Sequence, residues 1–372
     1  MTGPPVAQVP VQPTNRVAVK RQRIVGTRRR YNQWVNNQTL EDYALRFTAR
    51  SARIWSPWWV ANTALGSIAF LACEAIGATV TISYGFESMA LALATAAVIF
   101  LLSGLPICYY AARYGVDMDL LTRGSGFGYL GSTITSAVYA SFTFILFAIE
   151  AVILSAALRL CFGIPLPIGH ILSALIVIPI SAYGFRRISR VQNWTQPIWL
   201  LLQIAPLLFI ALQGEGAITL WQGYEGTQAG SDHVLNFGLA LAIFLSLLPQ
   251  IGEQVDYLRF LPDKEKVGKG SWWTALILTG PGWVLLGGLK IAIGSCLAII
   301  ALSAGMAGID AANPTMLYYM TFTALLPSPM FAVIVTGLFV AICQIKINIT
   351  NGYAGSIASS NFFSRLTHRH PG

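Results

Sequence analysis

Charge is what this chain has least of: only 10% of its 372 residues are Asp, Glu, Lys or Arg. A soluble domain carries roughly a quarter, so an ordinary water-facing fold is excluded. Cysteine is scarce too. Cys73, Cys108, Cys161, Cys296 and Cys343 stand singly, in no spacing that suits a metal or a redox pair, and read as packing residues. His368 and His370 sit near the end of the sequence without partners. No nucleophile–base pair or ligand set can be assembled, so neither an enzyme nor a cofactor is expected. Gly124-Ser-Gly-Phe-Gly128 lacks a preceding strand, which argues against a phosphate loop.

What the chain does have is apolar length. Hydrophobic residues make up 55%, with a mean hydropathy of +0.61, in runs of about twenty, enough to cross a hydrocarbon core. Such runs can only be helical, because lipid offers no partner to backbone N–H and C=O groups. The pattern predicts an all-α polytopic membrane protein with about eight spans, near 58–83, 88–111, 129–158, 166–184, 196–213, 237–258, 272–302 and 328–350. Met316–Leu326 is too short to cross and reads as a helix lying at the surface. Residues 1–56 read as a cytoplasmic tail, disordered over about the first thirty, with a short amphipathic helix on anionic headgroups near 39–53. Residues 57–372 form the transmembrane domain.

The formal net charge of +9 does not form the aromatic-studded basic face that nucleic acid needs. Apart from Arg159, Lys290 and Lys346, all 24 Lys and Arg fall on one side of the predicted spans. Positive charge collects on the cytoplasmic side, so an inner (plasma) membrane location with both termini cytoplasmic is expected. The sequons at Asn37 and Asn193 then lie inside and that at Asn348 within a span, so glycosylation is not expected.

Five ionisable side chains remain within spans: Glu74, Glu150, Glu253, Lys290 and Lys346. Each costs about 2.5–3.5 kcal/mol near the bilayer centre on insertion scales, so such residues face protein, water or a ligand. Glu74 lies among small residues that permit close helix contact, either as a cation or proton ligand or as a neutral hydrogen-bonded acid. Glu150 shares a helix face with Phe147, a pairing suited to a flat, hydrogen-bonding ring. In Leu248-Pro-Gln-Ile-Gly-Glu253, Pro and Gly predict a broken helix whose bared backbone, around Gln250 and Glu253, faces a solute; a simple kink is the alternative. Lys346 can serve as a fixed cation, a proton carrier or a snorkelling interfacial lysine. Lys290 reads as a structural partner for one of the carboxylates.

Several segments resemble the nucleobase–cation symporters, relatives of the purine–cytosine permeases and hydantoin transporters. They are Tyr114-Gly-Val…Arg123…Phe127-Gly-Tyr-Leu-Gly131, Asp256-Tyr-Leu-Arg-Phe260 and Asn361-Phe-Phe-Ser-Arg365. One extra residue separates Arg123 from Phe127 relative to that family. The resemblance implies an inverted repeat of five plus five helices, with substrate near the midplane on helices 1, 3, 6 and 8. It places Phe147 and Glu150 on a substrate segment where an amide is usual, and Asn351 within one residue of a substrate-binding Asn. It sets Lys346 and Ile347 where Ser and Thr usually hold sodium, so protons or the tethered lysine replace that ion, with Lys346 and Glu74 handling charge.

The family has twelve helices and this chain about eight. It therefore reads as part of a permease for a nucleobase, hydantoin or allantoin, to be completed by a C-terminal continuation or a partner. Two alternatives stand beside that reading. One is the solute-sensing membrane part of a sensor histidine kinase with a fused kinase; the other is a truncated, inactive permease.

Overall fold

The computed structural model describes residues 46–228 and 232–366, and the predicted disordered tail and the terminal histidines lie outside them. Within them the chain is helical, with no strand beyond one isolated antiparallel bridge between Phe47 and Val116. Six helices are long and apolar enough to cross a membrane. Large apolar side chains such as Leu102, Leu130, Ile134, Leu201 and Leu212 lie more than two-thirds exposed on their flanks. In water such patches would drive aggregation; against lipid they cost nothing.

The helices used below are α1 (Pro57–Leu65), α2 (Ala72–Tyr114), α3 (Gly128–Phe162), α4 (Leu166–Leu175), α5 (Ile178–Ala182), α6 (Gly184–Gln213), α7 (His233–Leu245), α8 (Gln250–Leu258), α9 (Lys269–Thr279), α10 (Trp283–Ser303), α11 (Pro314–Leu325) and α12 (Pro329–Leu366). Two interruptions matter most. The first predicted span is α1 and the start of α2, separated by a 3-10 turn over Gly66–Ala69. The sixth is α7 and α8, separated by turns through Ser246–Pro249, where Pro249 removes a backbone donor. Gly85, at φ +83°, turns the chain between the first two spans inside α2.

α12 packs along α3, and α2 along α10. The second contact is set by glycines. A Cβ on Gly77 would lie 2.0 Å from the Ile291 carbonyl oxygen, and one on Gly294 would lie 2.2 Å from that of Glu74. The backbones therefore touch, as small residues permit in lipid. Gly294→Ala should cost about 1–3 kcal/mol through overpacking and lower the detergent melting temperature. Gly288→Ala, whose Cβ would meet only Leu93 Cδ1 at 3.8 Å, should leave it unchanged. Equal melting of both variants would refute the backbone contact.

Two expectations need correcting. Of the amphipathic helix predicted near 39–53, the described residues 46–53 are mostly extended. The Thr48 N–H donates to the Gly115 carbonyl (2.7 Å) and the Asp117 N–H to that of Arg46 (3.0 Å), leaving one 3-10 turn at Arg50–Ala52. Arg53 is buried, its guanidinium on the Thr48 and Ala112 carbonyls and beside Asp263. It faces protein because the end of α2 offers bare carbonyls for it to cap. Nor is Met316–Leu326 a surface helix: α11 buries Leu317, Tyr318, Thr321 and Phe322 against its neighbours. At 12 residues it is too short to cross, and its aromatic face fits the core.

Candidate solute and ion site

The break in the first span frees backbone groups in the protein interior, and each end meets a charge of the matching sign. The Ala72 N–H, first of α2, donates to Glu150 Oε1 at 3.3 Å. The Ala69 carbonyl, before the break, accepts from Lys290 Nζ at 3.4 Å. A helix start attracts an anion and a helix end a cation, so the break accounts for two of the five intramembrane charges. Lys290 is also ion-paired with Glu74 (Nζ to Oε1, 2.8 Å). The Tyr318 hydroxyl donates to the same Glu74 oxygen at 2.9 Å and accepts from Gln203 Nε2 at 2.7 Å. Four helices, α2, α6, α10 and α11, thus meet at one buried ion pair.

Glu150 and Glu253 are fully buried and form no ion pair among the described residues. Gln250 Nε2 donates to Glu253 Oε2 at 2.7 Å across the first turn of α8. Gln254 Nε2 reaches Ser67 Oγ, at the break of the first span, at 2.8 Å, so the two breaks touch. On α12, Asn348 Nδ2 donates to the Phe147 carbonyl (3.4 Å) and Asn351 Nδ2 to Asn348 Oδ1 (3.3 Å). Gln344 stands beside Glu150 and Thr350 beside Glu253.

The Phe147 ring does not join Glu150. It lines a crevice of about 350 Å³ with Phe144, Val177, Ile178, Ser181 and Gly352, between α3, α5 and α12. A three-residue separation sets two side chains about 60° apart around a helix, enough for one to face the interior and the other its rim.

Lys346 points to α6. Its ammonium donates to the Gln192 carbonyl (3.1 Å), Thr195 Oγ1 (3.2 Å) and Gln196 Oε1 (2.9 Å), and Gln192 Nε2 donates back to the Lys346 carbonyl (2.8 Å). The Gln192 side chain fills the space where a Gly66 Cβ would stand. Lys346 therefore sits where α6 and α12 meet the first break, held by neutral oxygens on α6. Glu74 takes Lys290 as its ion-pair partner, and the ammonium of Lys346 is held by α6.

At the arginine-rich end, Asp119 binds Arg46 (3.0 Å), Arg123 (3.1 Å) and Arg365. Arg365 also donates to Ser132 Oγ at 2.7 Å. Asp117 caps the next helical turn through the Leu120 N–H (2.9 Å) and accepts from Asn361 Nδ2 (3.0 Å). Burial raises the Asp117 carboxyl above its ordinary pKa, opposed by the Arg259 charge. Asp256, behind it, accepts from the Tyr139 hydroxyl at 3.0 Å. This network ties the segment before α3 to the end of α12 and closes that end of the molecule. Its signals, Arg123 and Asn361…Arg365, lie in the segments that carry the family resemblance. No sequence signal marked Tyr318 or Gln203, whose role depends on a partner more than a hundred residues away.

No family model matches the chain, and no curated protein matches it in sequence. Solved structures do. The nucleobase–cation symport family transporter Mhp1, in a closed conformation with bromovinylhydantoin bound, superposes with a TM-score of 0.61 at 17% identity, covering 88% of this chain and 70% of Mhp1. A Na⁺-coupled sialic acid symporter, substrate-bound and outward-open, gives 0.56 at 18% identity, covering 91% of this chain and 72% of its own. The chain shares the fold of these two proteins. At these identities the fold is what is shared, and the all-α polytopic membrane class follows from it and from the apolar helices.

Proposed function

We propose that this chain forms the transport core of a secondary active permease for a small, nitrogen-rich polar solute of nucleobase, hydantoin or allantoin size. The observation that carries the reading is the convergence of two broken helices with Glu150, Glu253, Gln250 and Asn351, all buried, on a fold shared with two symporters. Broken helices at mid-depth are how transporters bare backbone and side-chain polarity to a solute. The arginine-rich end is the cytoplasmic end in this reading, and the Asp119 network is its closed gate.

Lys346 supports sodium-independent coupling. An ammonium held by three oxygens beside the first break is a tethered stand-in for a bound cation, and it can also release a proton during the cycle. In proteoliposomes offered hydantoin, uracil and allantoin in turn, uptake by the parent should not respond to sodium. Lys346→Ala removes three charge-assisted hydrogen bonds, each worth about 1.5–3 kcal/mol. It should cut sodium-free uptake at least tenfold, and added sodium should restore part of it. Unchanged, sodium-insensitive uptake by the variant would remove Lys346 from the coupling scheme.

A further inference from the structure

The arginine-rich end holds a polar crevice of about 190 Å³. It lies between the end of α2, the turn at Arg50 and the short helix Lys264–Val267 that precedes α9. One water needs only about 10–15 Å³ of such space, so the crevice can take a larger group. Five of its lining residues are charged: Arg50, Arg113 and Lys264 against Asp263 and Glu265. These charges do not cancel. Asp263 stands between two arginines, with Arg53 Nη1 at 3.5 Å and Arg50 Nε at 3.6 Å, so one carboxylate serves two guanidiniums. Arg113 forms no ion pair among the described residues. Its Nη1 donates to the Tyr109 hydroxyl at 3.1 Å, and its guanidinium lies over the Tyr109 and Tyr114 rings. Lys264 forms none either, which leaves Glu265 as the one further carboxylate in the wall.

Counting Arg53, four cations thus meet two carboxylates. A partly enclosed polar crevice with a surplus of one sign concentrates ions of the other. A guanidinium fork beside the point charge of an ammonium suits a phosphate group. Depth indicates which phosphate. Tyr109 and Trp272 line the crevice, and ring contacts continue from Tyr109 to Tyr110, Tyr114 and Trp273. Those last three are exposed, and exposed Tyr and Trp of membrane proteins gather at headgroup level. Toward the middle of α2 the exposed large side chains are apolar, Leu102 and Leu105, as lipid tails require. The crevice therefore opens at the depth of lipid phosphates.

We infer that this crevice binds the phosphate of an anionic phospholipid, held by Arg113 and Lys264, from the leaflet that meets the arginine-rich end. A lipid there joins the end of α2 to the segment between α8 and α9 and braces their packing. The inference rests on the membrane fold and is independent of the solute.

The purified full chain in neutral detergent micelles would be titrated with phosphatidylglycerol, phosphatidylcholine and inorganic phosphate, with retained lipid read by native mass spectrometry and stability by thermal melting. Phosphatidylglycerol should bind saturably, raise the melting temperature and bind more weakly at high salt. Arg113→Gln/Lys264→Gln should lose at least about tenfold in that affinity, while melting like the parent when no lipid is added. Arg186→Gln/Arg187→Gln, which removes two exposed arginines outside the crevice, should bind the lipid as the parent does. Should the first double variant fail to fold, Lys264→Gln alone should still weaken binding severalfold. Equal retention of phosphatidylcholine, or equal losses in the two double variants, would overturn the site in favour of unselective surface attraction. Displacement of the lipid by inorganic phosphate would overturn the lipid as occupant and make this a free-phosphate site. Absence of saturable phosphatidylglycerol binding would overturn the inference outright.

Discussion

Lys290→Met should lower the unfolding free energy by about 3–5 kcal/mol, the usual cost of stranding one member of a buried ion pair. Glu74 would remain fully buried with the Tyr318 hydroxyl and its own backbone N–H as donors but no cation, and the Ala69 carbonyl at the helix break would lose its cap. Glu74→Gln should cost less, because an amide still accepts from Tyr318 and can face the lysine with its oxygen. The double variant Glu74→Gln/Lys290→Met should be more stable than Lys290→Met alone, since no unpaired charge is then buried. A cycle of unfolding measurements in mixed micelles isolates the coupling. A double variant that loses the sum of the two single losses would show that the pair contributes no coupling energy. Its role would then reduce to the separate contacts with Ala69 and Tyr318.

The second large effect is expected at the arginine-rich end. Asp119→Asn removes the charge on which Arg46, Arg123 and Arg365 converge, and the Arg365 side chain is 2% exposed. A buried guanidinium without its carboxylate favours any conformation that returns it to water. Ile357 lines a small cavity with Asp117, Asp119, Tyr139 and Asp256, so a cysteine placed there reports opening. In a background without the five native cysteines, Ile357→Cys should react with a charged thiol reagent at least tenfold faster once Asp119→Asn is added. Equal rates would mean that helix packing, and not this charge cluster, keeps the end closed.

How much of this was legible in advance varies residue by residue. Glu150 stood out because nothing in Phe144–Ile149 could solvate a carboxylate, so a partner had to come from elsewhere. The break before Gln250 was readable from Leu248-Pro-Gln-Ile-Gly, where a missing donor and a permissive glycine fall within one turn. The break at Gly66–Ala69 was not readable. No proline marks it, and its small residues suit close packing equally well. Helical spacing puts Phe147 near the Glu150 face, but it fixes angles around one axis and not which neighbour stands opposite, here Ser181 and Gly352. Local context makes Lys290 and Lys346 look alike. Their difference lies in the partner each meets, Glu74 for one and the α6 oxygens for the other.

By itself, then, the sequence determined the class and the places of most long apolar helices. Class and helices depend on hydrophobic length and on the cost of unpaired backbone in lipid, both summed along the chain. It also named the costly residues, because a charge within an apolar run is conspicuous wherever its partner lies. Only the tertiary structure decided the pairings. Glu74 with Lys290, Tyr318 with Gln203 and Asp119 with Arg365 join positions 216, 115 and 246 residues apart. Such pairings depend on which faces meet, and close contacts such as Gly77 on Ile291 and Gly294 on Glu74 settle that through shape, which a one-dimensional pattern does not contain.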